Sequence, residues 1–168
     1  LRRPRFTFCL SNQNQNIFSF WYAPVLEEPN VGQNPHVGEL LPSFKVRVFR
    51  CSDNSEIFNV VNLGNGSNQI VANSSDPFLQ SIPYVDSIDV TQLVFRRWSC
   101  AQIDLSAYQG IALMVVFITE DCGYNGGHFG YVYLDNFCGS CAGPNTVQLA
   151  SSDCGPGPNI CFDYTIPS

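Results

Sequence analysis

Phe44-Lys45-Val46-Arg47-Val48-Phe49-Arg50-Cys51 alternates along its length: Phe44, Val46 and Val48 fall on one side of an extended chain, and Lys45, Arg47 and Phe49 on the other. Successive side chains of a strand point to opposite faces, so this stretch reads as a half-buried β-strand. Residues 56–61 follow across the turn-forming triplet Ser52-Asp53-Asn54 and are expected to pair with it antiparallel. Outward from this hairpin the same period recurs. Residues 17–26 (IFSFWYAPVL) are aromatic-rich and read as a buried strand, and residues 93–98, 101–105, 111–119 and 129–137 read as further strands. Residues 62–76 are a polar loop with one short strand at 69–72, and 106–110 form a tight connection ending in Gly110. No segment keeps a helical period for more than a turn or two. The expectation is an all-β chain, a jelly-roll-like antiparallel β-sandwich stapled by disulfides. Residues 1–138 are expected to form the sandwich. Residues 139–168 are expected to be a linker and the start of a following β domain, or a docked strand pair, because so short a segment cannot bury a core alone.

The composition narrows the function. The chain has 168 residues and a formal net charge of −6, with 45% hydrophobic but only 13% charged residues. An acidic surface repels phosphate backbones, so nucleic acid is not an expected partner. There is no apolar run of membrane-spanning length, so no membrane insertion is expected. Asn, Gln, Ser and Thr stand in for charge, as in extracellular β-proteins whose modules pack side by side. The opening Leu1-Arg2-Arg3-Pro4 reads as mid-protein, or as an end left by processing. No nucleophile elbow, HExxH, P-loop or GxGxxG occurs, so the chain is not expected to be an enzyme.

Eight cysteines, Cys9, Cys51, Cys100, Cys122, Cys138, Cys141, Cys154 and Cys161, point to an oxidising, extracellular location. Cys122 and Cys138 bracket a loop and a strand and are the first expected pair. Cys51 and Cys100 each end a strand and are the second, and Cys154 with Cys161 is a third. Cys138-x-x-Cys141 also has the form of a redox motif or half a zinc site, but Cys154 and Cys161 are too far apart in sequence to complete the usual ligand spacing. Disulfides are the default in this segment.

The two histidines, His36 and His128, lie in loops rich in Gly or Pro. They are candidate ligand contacts, able to hold a transition metal with Asp121, Glu120 or Glu27, or simply to hydrogen-bond loop backbone. Asp135 ends the closing strand and Glu27-Glu28 end an early one. If those ends are neighbours, Glu27 and Asp135 with Asp121 make a calcium site, since Ca²⁺ takes six to eight oxygens. The alternative is that Asp135 caps a turn. Calcium is the one candidate cofactor. Trp21, Tyr22, Trp98, Tyr108, Tyr124, Tyr131 and Tyr133 contain a possible sugar-stacking platform. Most lie in strands and are expected in the core, which leaves Tyr124, in a loop, as the best exposed candidate. Asn65-Gly66-Ser67 and Asn73-Ser74-Ser75 match the N-glycosylation sequon.

The segment Trp98, Ile103-Asp104-Leu105-Ser106-Ala107-Tyr108-Gln109-Gly110, the apolar strand 111–117 and Gly130-Tyr131-Val132-Tyr133-Leu134-Asp135-Asn136-Phe137 resembles the C-terminal half of MAM-like and related carbohydrate-binding jelly rolls. Phe20-Trp21-Tyr22-Ala23-Pro24-Val25-Leu26-Glu27-Glu28-Pro29, Phe44-Lys45-Val46-Arg47-Val48 and Asp121-Cys122-Gly123-Tyr124-Asn125-Gly126-Gly127-His128-Phe129-Gly130-Tyr131 are similar to a module of very large Bacteroidetes surface proteins, type IX secretion cargo of the gliding-motility adhesin kind. Pro24 departs from that pattern, because it removes a ladder donor and implies an edge or a bulge. Asp86-Ser87-Ile88 resembles the O-glycosylation acceptor of that phylum, with Ser87 as the modified hydroxyl. The resemblance implies a non-catalytic structural or adhesive module of an exported cell-surface adhesin or filament. Its partners would be neighbouring domains or subunits and surface glycans. The alternative is a calcium-dependent carbohydrate-binding module of a secreted multidomain protein.

Overall fold

The computed structural model describes residues 16–29, 41–85, 90–122, 128–138 and 141. Its strands, in chain order, are β1 (Ile17–Glu28), β2 (Ser43–Arg50), β3 (Glu56–Ile57), β4 (Gln69–Val71), β5 (Gln80–Val85), β6 (Val90–Phe95), β7 (Ser99–Asp104), β8 (Leu113–Glu120) and β9 (Gly130–Asp135). One 3₁₀ turn, Ser106–Tyr108, links β7 to β8. The chain is all-β, and every strand pairing is antiparallel. β5, β6, β1, β7 and β9 make a five-stranded sheet, and β3, β2, β4 and β8 a four-stranded one. Expected and observed strands agree closely at β2, β7 and β8. The strand expected over residues 56–61 stops at Ile57, just before Asn59 enters the left-handed region with φ 61°. β5 was not expected from sequence. It carries Pro83 and among the described residues pairs only with β6, which is where a sheet tolerates a missing N–H.

The core gathers side chains from both sheets. Phe18, Phe20, Tyr22 and Leu26 of β1, Val94 of β6, and Ala101 and Ile103 of β7 meet Phe44, Val46 and Val48 of β2 and Leu113, Val115 and Phe117 of β8. The Phe20 and Phe117 rings meet edge to face at 4.9 Å, and Tyr22 lies 5.8 Å from Phe44. Edge-to-face rings add about 0.5–1.5 kcal/mol beyond their buried area.

β1 runs the length of the five-stranded sheet and changes partner midway. On one flank it pairs with β9 from Trp21 to Leu26. On the other it pairs with β7 up to Tyr22–Ser99 and with β6 from Val25–Phe95 onward. Ala23 and Pro24 are thus spanned by Arg96, Arg97 and Trp98, two residues against three. β6 and β7 are one strand interrupted by a β-bulge. Pro24, which has no N–H to give, sits at that bulge, and its carbonyl accepts the Arg96 amide at 3.2 Å.

The extra residue also inverts the alternation. In β6, Val94 faces the core; in β7, Ala101 and Ile103 do. Arg96 is turned toward Tyr22, with its guanidinium 5.7 Å from that ring and 5.8 Å from the Phe78 ring. Its Nη1 donates to the Leu63 carbonyl at 2.5 Å, and the Tyr22 hydroxyl donates to the same oxygen. Gly64, at φ +87°, lies so close that a Cβ there would stand 2.8 Å from Arg96 Nη2. Asn62 Oδ1 closes this loop by accepting from the Gly64 and Gly66 amides.

Candidate functional site

Directly paired residues of neighbouring strands share a face. The register therefore defines the outer surface of the five-stranded sheet, the one turned away from the core. Val25 pairs with Phe95 on one flank and Tyr131 on the other. Ala23 pairs with Tyr133, and Trp21 with Cys100 and Asp135. Continuing the β1–β7 register one step past Tyr22–Ser99 sets Trp98 beside Ala23.

Trp98 is 47% exposed, Tyr133 54% and Tyr131 42%, while Ala23 between them is only 9% exposed. Two strand spacings separate Trp98 from Tyr133, about 10 Å. Ala23 thus lies between exposed aromatic residues carried by the chain on its two flanks. The Tyr133 side continues into a row of rings. Tyr133 meets Tyr131 at 5.5 Å, Tyr131 stacks on Phe129 at 5.6 Å, and Phe129 meets Tyr84 of β5 edge to face at 6.2 Å. Ile82 of β5 is exposed beside it. Burial, then the neighbouring Tyr133 and Tyr84, push the Tyr131 phenol above its ordinary 10.0, so it stays a neutral donor and acceptor.

The aromatic inventory thus divides against expectation. Tyr22 is in the core and Trp21 and Tyr108 are half-buried, but Trp98, Tyr131 and Tyr133 are exposed. Lying in a strand does not bury a residue; it buries every second one. In β9, Val132 and Leu134 pack against the core and leave Tyr131 and Tyr133 outside. Tyr124 lies outside the described residues, as do His36, Ser87, Cys154 and Cys161.

The calcium trio is not assembled. Strands β1 and β9 are antiparallel, so their C-terminal ends lie at opposite ends of the ladder. Asp135 pairs with Trp21, six residues before Glu27, and about 20 Å separates the two carboxylates. Asp135 Oδ1 accepts its neighbour's Asn136 amide, the turn-capping alternative. Glu27, 2% exposed, accepts from Thr91 Oγ1 at 2.9 Å and from the Phe129 amide at 3.3 Å. Asp121 accepts from the Gly130 amide at 3.2 Å. Glu27 fastens the start of β6 and the entry to β9 onto β1, and Asp121 holds that entry to the end of β8. Among the described residues no group of three or more His, Cys, Asp and Glu side chains is placed to hold a metal ion. His128 lies at the entry to β9, where its carbonyl accepts the Cys122 amide.

The disulfide is Cys100–Cys141, with Cα atoms 5.6 Å apart. This corrects the Cys51–Cys100 pairing. Cys51 follows β2 in the four-stranded sheet, is exposed and keeps a free thiol, whereas Cys100 lies in β7 of the other sheet. The Cys122–Cys138 staple is corrected as well. Cys122 is held at the entry to β9 by the His128 carbonyl, and Cys138 lies beyond its exit, where its amide donates to Ser19. The length of β9 keeps them about 20 Å apart, far beyond the reach of a disulfide. The observed bridge instead ties the chain after β9 across the outer face, next to Trp21.

Comparison with protein-family models, with curated proteins and with solved structures gives no match for this chain.

Proposed function

We propose that the chain is a non-catalytic adhesive module of an exported surface protein, and that it binds saccharide rings on the aromatic outer face of the five-stranded sheet. The carrying observation is that Trp98 and Tyr133, exposed on the two flanks of β1, stand either side of buried Ala23, and this arrangement is read as a trough for one ring. Sugar rings present C–H faces that lie flat on indole and phenol surfaces, while the hydroxyl rim takes polar partners. Tyr131 and Tyr133 hydroxyls and Asp135 supply such partners along the same strand. A low-charge surface and a disulfide suit an extracellular setting. Calcium has no part in this reading.

The test is retention on insoluble polysaccharides and a glycan array. Wild-type protein should be retained, and W98A and Y133A should lose retention. F58A, which removes an exposed ring beside β3 on the other sheet, should not. If wild-type protein is retained by no glycan, the reading fails.

One observation favours a second reading, contact with a neighbouring module. β9 pairs only with β1 among the described residues, so no described strand covers its other flank, the kind of edge on which another chain can add a strand. Concentration-dependent self-association that W98A leaves intact would support it.

A further inference from the structure

The sequence holds the pattern Asn-x-Ser/Thr at two places, Asn65-Gly66-Ser67 and Asn73-Ser74-Ser75. The fold treats them differently. Asn65 is half-buried, and both ends of its carboxamide are in use: Nδ2 donates to the Gln69 carbonyl at 3.0 Å, and Oδ1 accepts from the Ser67 amide at 3.0 Å. The Ser67 hydroxyl is also occupied, accepting the Gln69 amide at 3.1 Å. This turn leads into β4, and β4 pairs with β2 in the four-stranded sheet. A sugar on Asn65 Nδ2 would displace a bond that closes the turn.

Asn73 is exposed, and so is Ser75. Asn73 Oδ1 accepts the Ser75 amide at 2.9 Å, and the Asn73 carbonyl accepts the Asp76 amide at 3.0 Å. The carbonyl end of the carboxamide is thereby fixed to the backbone, and Nδ2 has no hydrogen-bond partner among the described residues. The Ser75 hydroxyl stands two residues on, also with no hydrogen-bond partner among the described residues. The Ser74 amide donates to Glu28 Oε2 at 2.9 Å, which anchors this loop to the C-terminal end of β1. The loop is thus rigid at its base and open at the one nitrogen that matters.

The geometry points to Asn73 as the N-glycan acceptor of this chain, and to Asn65 as a sequon that stays bare. In the transfer, Asn73 Nδ2 attacks C1 of the first sugar of a polyprenyl-diphosphate-linked oligosaccharide. The N–C1 bond forms and the C1–O bond to diphosphate breaks. The amide proton passes to a base of the transferase, and polyprenyl diphosphate leaves; nothing is oxidised or reduced. The glycan then stands at the Glu28 end of β1. Ala23 is five residues away along that strand, about 17 Å, so the sugar does not cover the Trp98–Tyr133 trough. This inference stands independently of the saccharide-binding reading.

The test is incubation of the full, folded chain with a purified oligosaccharyltransferase and a polyprenyl-diphosphate-linked oligosaccharide, followed by intact mass and peptide mapping with and without peptide-N-glycosidase. The expected result is a single N-glycan, with Asn73 converted to Asp on release. N73Q and S75A should each abolish it, and N65Q should leave it unchanged. S75A retains the residue-75 amide that closes the turn, so its loss of glycan cannot be assigned to a broken loop. A folded wild-type chain that the transferase leaves bare at Asn73, or that gains a glycan on Asn65, would overturn the assignment.

Discussion

The Arg96 amide donates to the Pro24 carbonyl at the one point where three residues of the neighbouring strand span two of β1. This bond turns a β-branch-poor corner into an anchor. It aims the Arg96 guanidinium at Tyr22 and at the Leu63 carbonyl, tying the 62–68 loop to the sheet.

Replacing Arg96 should therefore destabilise the fold well beyond an ordinary surface change. R96A removes one of two donors to the Leu63 carbonyl and the stacking on Tyr22 and Phe78. A loss of about 2–3 kcal/mol is expected in urea unfolding. G64A forces a side chain into a left-handed backbone against the same guanidinium and should cost about 1–3 kcal/mol. Because the two share a contact, the double variant should lose less than the sum.

Cys100–Cys141 closes a loop with a sequence separation of 41 residues. In the chain-entropy account such a bridge contributes about 4 kcal/mol through the unfolded state. C100A/C141A should lower stability toward that amount by denaturant midpoint. C51A should leave it nearly unchanged, since Cys51 is exposed and unbridged.

Glu56 has a testable pH signature. A side-chain hydrogen bond from Arg47, two residues along β2 from Glu56's ladder partner Phe49, holds Glu56 below its ordinary 4.5. A depressed carboxylate contributes stability that is present above its unfolded value and lost as pH falls through the folded one. Below about pH 4.5, wild type should lose stability more steeply than E56Q. The difference should be no more than about 1 kcal/mol, because water screens the pair. Parallel acid titrations of unfolding midpoint would show it.

The trough separates binding from folding. W98A and Y133A remove exposed rings and should change stability by less than about 0.5 kcal/mol. F117A removes a ring packed on Phe20 and should cost about 3–5 kcal/mol. A23L fills the floor between the two aromatic walls without deleting either. It should reduce polysaccharide retention about as much as W98A does, read by the same retention assay.

Much of this architecture was legible in the residues. Alternation at Phe44 to Phe49 gave β2 and its core face, and Pro24 marked a bulge that the register places opposite Arg96 to Trp98. What alternation does not carry is which sheet a strand joins. Cys51 and Cys100 both end or begin strands, yet they belong to different sheets, so pairing them by position failed. The carboxylates failed for a related reason. Glu27 and Asp135 both stand near a strand's C-terminal end, and antiparallel pairing sends such ends apart. The aromatic face is written in Gly130-Tyr131-Val132-Tyr133-Leu134-Asp135, where two-residue alternation sends Val132 and Leu134 inward and Tyr131 and Tyr133 outward.

The bulge at Arg96 to Trp98 acts as a phase marker for everything downstream of it. Remove one residue there and β7 stays hydrogen-bonded to β1 only by presenting its opposite side. Ala101 and Ile103 would then meet solvent, and Cys100 would turn into the core, away from Cys141. Loops elsewhere can gain or lose residues at small cost, but this three-residue corner has a fixed length. A single-codon deletion within it would do more harm than most substitutions in the hydrophobic interior.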